Sequence, residues 1–101
     1  MIVRCWKGIT TTENAEKYIE HLASSVIPVL RTLHGFARIE IMKRTVAEGF
    51  EFQVHTYWKT MNDITQFATQ DLSSAVVPDE ARAVLSTYDR TVTHYETVTF
   101  D

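Results

Sequence analysis

The sequence predicts an α+β domain in the split β-α-β-β-α-β order of ferredoxin-like folds, a four-stranded antiparallel sheet with helices on one face. Three observations predict it. The stretch Phe52–Ala68 changes from a two-residue period (Phe52, Val54, Thr56, Trp58) to helical spacing (Met61, Ile64, Phe67, Ala68). Two strand-like segments flank the short connection Ala47-Glu48-Gly49. Helical patterns follow the first and third strands, so right-handed crossovers return both to the same side of the sheet.

In chain order, Ile2–Lys7 is the first strand. Thr10 and Glu13 stand at capping-box spacing, with Thr12 a competing cap. Ala15, Tyr18, Ile19, Leu22, Val26, Val29, Leu30 and Leu33 then form an apolar stripe, leaving Lys17, His21, Ser24 and Arg31 on the wet side. Pro28 lacks an N–H and presses on the carbonyl of Ser24, so a kink or break is expected just before it. Gly35 ends the helix. Phe36–Val46 and Phe50–Trp58 are paired strands, and Thr60 caps the next helix through Asp63. After a polar break at Gln70–Ser74, Pro78 opens a helical segment with Asp79 and Glu80 in its first turn and Ala81, Val84, Leu85 and Tyr88 on its buried side. Arg90–Phe100 closes the chain as a strand.

The 101 residues make one domain, 1–101, large enough to bury a core. A net charge of −3 without a basic cluster excludes the footprint of a nucleic-acid binder, and no apolar run is long enough to span a bilayer. A charge at Arg4 argues against a signal peptide, and the single cysteine, Cys5, fits a reducing cytoplasm. The histidines have no metal-ligand spacing, and the three glycines form no phosphate-cradling loop, so neither metal nor nucleotide cofactor is expected.

The candidate site residues lie where sheet and helices would part. Trp58, at the strand–helix changeover, either seals that junction or touches a substrate. Trp6 is its counterpart on the first strand, and Tyr18 and Phe67 are the aromatics above them. Arg4 shares a side with Trp6 and needs a partner if buried, either Glu96 on the last strand or an anionic substrate oxygen. His94, if it points inward, either moves protons or serves as a structural hydrogen-bond donor. The other sheet face, with Arg38, Glu40, Met42, Gln53, His55 and Tyr57, carries too much aromatic and mixed-polar surface to stand fully open to water, so a homodimer through it is expected.

Arg4-x-Trp6-x-Gly8, Gly35, and the run from Phe52 through Trp58 to Phe67-Ala68-x-x-Asp71 resemble the antibiotic biosynthesis monooxygenase family. The resemblance implies a dimeric α/β barrel of ferredoxin-like protomers. In its haem-degrading branch the first-strand Asn is here Trp6. The ligating histidine falls in Ala75-Val76-Val77, so haem is not expected. In its cofactor-independent branch, which oxidises polyphenols, Trp58 matches and the Asn before it is Val54. The resemblance thus implies a cofactor-independent monooxygenase for a small electron-rich aromatic or polyketide-like molecule, with Arg4, His94 and Trp58 as catalytic candidates and Trp6, Tyr18 and Phe67 shaping the pocket. A non-catalytic small-ligand-binding or stress-related dimer is the alternative.

Overall fold

Five strands build a single antiparallel sheet in the computed structural model, which describes residues 1–69 and 71–101. They are β1 (Ile2–Thr10), β2 (Phe36–Val46), β3 (Gly49–Trp58), β4 (Thr87–Tyr88) and β5 (Thr93–Glu96). Their order is β2-β3-β1-β4, with β5 also paired to β1. The central pair runs from Ile2 opposite Trp58 to Thr10 opposite Phe50. This is the ferredoxin-like arrangement with its last strand in two pieces.

The expected continuous strand Arg90–Phe100 is replaced by β4 and β5 for a local reason. The Trp6 indole donates to the Asp89 carbonyl at 2.7 Å, and Val92 N donates to Ser73 O at 2.9 Å. Asp89 N still donates to Lys7 O of β1, but the Asp89 carbonyl goes to the indole and residues 90–92 bond to the preceding loop, so the ladder resumes at Thr93. Tyr88 belongs to β4, and Val98 and Phe100 lie exposed beyond β5.

The first helical region is α1 (Ala15–His21), a π-helical segment Leu22–Val26, and α2 (Ile27–Leu30). The expected disturbance before Pro28 takes the form of that π segment. Ile27 N donates to Leu22 O, five residues back, which widens the turn where the proline ring would meet the preceding carbonyls. The capping box at Thr10 and Glu13 is not formed. Thr10 ends β1 with its hydroxyl buried, and Asn14 is the N-cap without a side-chain bond. The buried stripe is also rotated: Ala15, Tyr18, His21 and Leu22 face inward, while Ile19 is exposed. Gly35 stops the region at φ +77°, a conformation that side chains resist.

The second helical region is shorter than its pattern. A 3-10 turn covers Asn62–Gln66, and α3 (Asp79–Arg82) follows a loop. Thr60 Oγ1 accepts from Asp63 N at 3.2 Å as the spacing predicts, but Met61 points to solvent while Ile64 and Ala68 are buried. Gln70, the first residue of the expected polar break, lies outside the described residues. Beyond it Asp71 accepts from Ser73 N at 3.0 Å and closes a turn. No helix among the described residues is long and apolar enough to cross a membrane.

All helices cover one sheet face, over two separate apolar clusters. Tyr18, Leu22, Phe52, Ala81 and Leu85 form one, with Trp6 against it. Leu30, Trp58, Ile64 and Ala68 form the other, with Phe36, Ile39 and Phe67 around them.

Candidate functional site

A mostly apolar cavity of about 190 Å³ opens between the sheet and the helical regions. The sheet contributes Arg4, Trp6, Ile39, Val54 and Thr56; the first helical region contributes Tyr18, His21, Leu22 and Val26. Phe67, Val76, Val77 and Ala81 close it from the second region, and Val92 from the loop before β5. The π segment lies on this wall, so the local widening that relieves Pro28 also shapes the cavity. Drug-sized sites begin at roughly 300 Å³, whereas a dry cavity of roughly 150 Å³ admits benzene. This cavity is therefore sized for one ring rather than for a polycyclic molecule.

Arg4 is the charged group in that wall and is only 4% exposed. β1 aims it at the helix side, opposite Thr56 on β3 and His94 on β5. Its guanidinium donates to Leu72 O and Ser74 O, each at 2.7 Å, and stands 3.1 Å from His94 Nε2. Phe67 lies over it, 5.9 Å from ring centre to guanidinium carbon. The expected ion pair with Glu96 is not made, because register places Glu96 opposite Ile2. No ion pair among the described residues involves Arg4. Burial pushes its pKa down to about 10, leaving it fully cationic at neutral pH. A buried cation solvated by carbonyls and an imidazole, with no carboxylate, favours an anion in the adjoining space.

The other candidates divide. Trp6, Tyr18 and Phe67 line the cavity as expected. Trp58 does not: it is fully buried in the second cluster, edge-on to Phe36 at 5.4 Å, and its indole donates to Thr56 Oγ1 at 2.9 Å. Both indoles share the helix-side face, but Arg4 and Thr56 occupy the row between them. Of the two readings of Trp58, the structure places it as the aromatic that seals the sheet–helix junction, outside the cavity wall. His94 points toward the helix side yet stops at Arg4 and is no part of the cavity wall. Its pKa is lowered by burial and then by the Arg4 charge. It holds the Arg4 guanidinium.

The sequence pattern places His21 on the wet side, whereas the side chain is 8% exposed and part of the cavity wall. A signal for this existed: His21 is three residues after Tyr18 and one before Leu22, so the arc that buries both includes it. Its Nε2 is buried without a partner, and its Nδ1 is 3.5 Å from Glu80 Oε2.

The fold and this cavity define a ferredoxin-like α+β scaffold with a small apolar chamber between its sheet and its helices. The solved structures that resemble it agree. One, from Bacillus cereus, is provisionally named an antibiotic biosynthesis monooxygenase; it is 13% identical, with TM-score 0.67, over 99% of this chain and 97% of its own. An MhuD point mutant with two manganese protoporphyrin IX molecules per active site is 15% identical, with TM-score 0.67, over 100% and 98%. An ethyl tert-butyl ether D family protein from Bacillus halodurans is 16% identical, with TM-score 0.53, over 97% and 100%. Neither a family sequence model nor a curated protein sequence matches the chain. The chain thus has the fold of the antibiotic biosynthesis monooxygenase structures. A porphyrin does not fit the residues present: 190 Å³ is too little for a macrocycle, and Ala75-Val76-Val77 offers no metal-ligating side chain.

Proposed function

We propose that this protein is a cofactor-independent monooxygenase that oxidises a small, electron-rich, single-ring phenol bound beside Arg4. The observation that carries the reading is Arg4 itself, a buried cation without a carboxylate partner in the wall of an apolar chamber. Deprotonated electron-rich phenols reduce oxygen themselves. A phenol and one dioxygen give a quinone and one water; one oxygen atom enters the ring, the other leaves as water, and the substrate supplies every electron. The protein's part is to hold the anion, orient the ring and exclude bulk water. Arg4 offsets the negative charge where the low dielectric strengthens it. Trp6, Tyr18 and Phe67 set the plane of the ring. The size of the cavity narrows the polyketide-like substrates implied by resemblance to one-ring compounds.

The test is oxygen uptake in the presence of small phenols, with product incorporation of heavy oxygen from labelled dioxygen. Turnover no faster than that of Arg4→Ala overturns the reading. A second reading, a non-catalytic ligand-binding dimer, is favoured by the burial of Trp58 and by Val54 in place of a polar group on the wall. Binding of the same phenols without oxygen uptake supports it.

The same reading includes a homodimer through the open sheet face. No helix among the described residues covers that face, and Met42 and Tyr95 on it are 43% and 58% exposed.

A further inference from the structure

Oxidation of a phenol starts with loss of its hydroxyl proton, and the cavity wall contains few groups able to take it. Its titratable side chains are Arg4, Tyr18 and His21. Arg4 is a cation, and burial drives the Tyr18 phenol far up. His94, one layer away, is engaged by Arg4 at 3.1 Å. His21 is the remaining base. Its Nε2 is buried with no hydrogen-bond partner, a rare condition for a polar atom in a folded chain. Its Nδ1 lies 3.5 Å from the Glu80 carboxylate, which reaches across from α3. The Tyr18 ring stands 6.5 Å from the imidazole, centre to centre, on the same helix. A histidine with one nitrogen beside a carboxylate and the other free is the arrangement of an oriented general base.

We propose that His21 accepts the hydroxyl proton of a single-ring phenol in this cavity, with Glu80 as its positioning residue. The phenolic O–H bond breaks, its electron pair stays on oxygen, and the proton goes to Nε2. Nδ1 keeps its proton toward Glu80, whose carboxylate offsets the imidazolium. Arg4 supplies the opposite charge for the phenolate in the apolar chamber. The groups facing the imidazole are thus Glu80 from α3, Tyr18 from its own helix and, across the cavity, Arg4 from the sheet. This inference rests on the function proposed above for the fate of the phenolate, but the proton transfer needs no oxygen and is measured separately.

The probe is 4-nitrophenol, whose phenolate absorbs visible light, with nitrobenzene as the same ring without a hydroxyl. The wild-type chain is expected to bind 4-nitrophenol about tenfold more tightly than nitrobenzene and to raise its ionised fraction above that in buffer below neutral pH. His21→Phe is expected to bind nitrobenzene as before and to lose the preference for 4-nitrophenol. Glu80 is 76% exposed, so Glu80→Gln leaves the fold intact. It is expected to keep 4-nitrophenol bound while lowering its ionised fraction several-fold. An ionised fraction and a hydroxyl preference unchanged in both variants overturn the proposal, and if His21→Phe does not fold, an unchanged Glu80→Gln overturns it alone. Ionisation at His21 without oxygen uptake by any phenol leaves this proposal standing and removes the oxidation. Oxygen uptake unchanged in His21→Phe does the reverse.

Discussion

The Arg4 guanidinium and the His94 imidazole meet across adjacent strands, Nη1 to Nε2, at 3.1 Å. A nitrogen that accepts from a cation must keep its lone pair, so the contact selects neutral His94. Arg4 in turn spans two carbonyls of the 72–74 loop, so one side chain ties β1, β5 and the cavity's outer loop together.

The first prediction concerns pH. His94 titrates near 6.5 when unfolded and lower when folded, through burial and then the Arg4 charge. Just below pH 6.5 the unfolded state therefore binds more protons, and stability falls as pH drops through that window. Urea midpoints from about pH 7.5 to about pH 5 measure it. His94→Gln is expected to flatten this part of the profile. The depressed carboxyls of Glu40, Glu51 and Asp71 weaken the fold only at more acidic pH, so the two regions separate.

Arg4→Met keeps most of the volume and removes the charge. Phenolate binding by calorimetry is expected to weaken by roughly tenfold to a hundredfold, the range for a hydrogen bond to a charged group. Leu72 O and Ser74 O lose their donor as well, so amide exchange in residues 72–77 is expected to quicken while that of β1 and β3 does not.

The two tryptophans are expected to behave oppositely. Trp58→Ala opens a cavity in the second cluster and costs about 3–5 kcal/mol in urea unfolding. Ligand quenching of fluorescence, by contrast, survives in Trp58→Phe and disappears in Trp6→Phe, because Trp6 forms the wall.

Two glycines differ in how their neighbours can yield. A Cβ on Gly35 meets the Asp63 side chain, whose carboxylate can turn aside while its Cβ must give by a few tenths of an ångström, on top of about 1–2 kcal/mol of backbone strain. A Cβ on Gly49, at φ +146°, meets the Thr10 carbonyl, which is fixed in the β1–β3 ladder. Gly49→Ala is therefore expected to lower the thermal midpoint more than Gly35→Ala.

The proposed homodimer predicts twice the chain mass by ultracentrifugation. Met42→Glu, placing a charge in the open face, is expected to give a monomer with unchanged circular dichroism.

Much of the architecture was legible because sheet periodicity is strict. The faces of β1, β2 and β3 follow from alternation, and a strand shifted by one residue would bury Lys7 and expose Trp6. Helix edges were less legible. Spacing put Ile19 inside and His21 outside, and the reverse holds, since a stripe about 100° wide has borders that pattern alone leaves loose. The capping box failed for a related reason: Thr10 satisfies both a strand and a cap, and pairing with Phe50 won.

By itself the sequence determined the element order, the helix-covered face, and the placing of Arg4, Trp6, Tyr18 and Phe67 around one interior. Those properties depend on neighbours along the chain and on two fixed periods. Only the tertiary structure decided that Arg4 binds carbonyls and His94 rather than Glu96, that Trp58 is sealed away, and that His21 enters the wall beside Glu80. Each depends on where the loops after β3 and before β5 come to rest, and nothing in local spacing sets a meeting between residues some 60 to 90 positions apart.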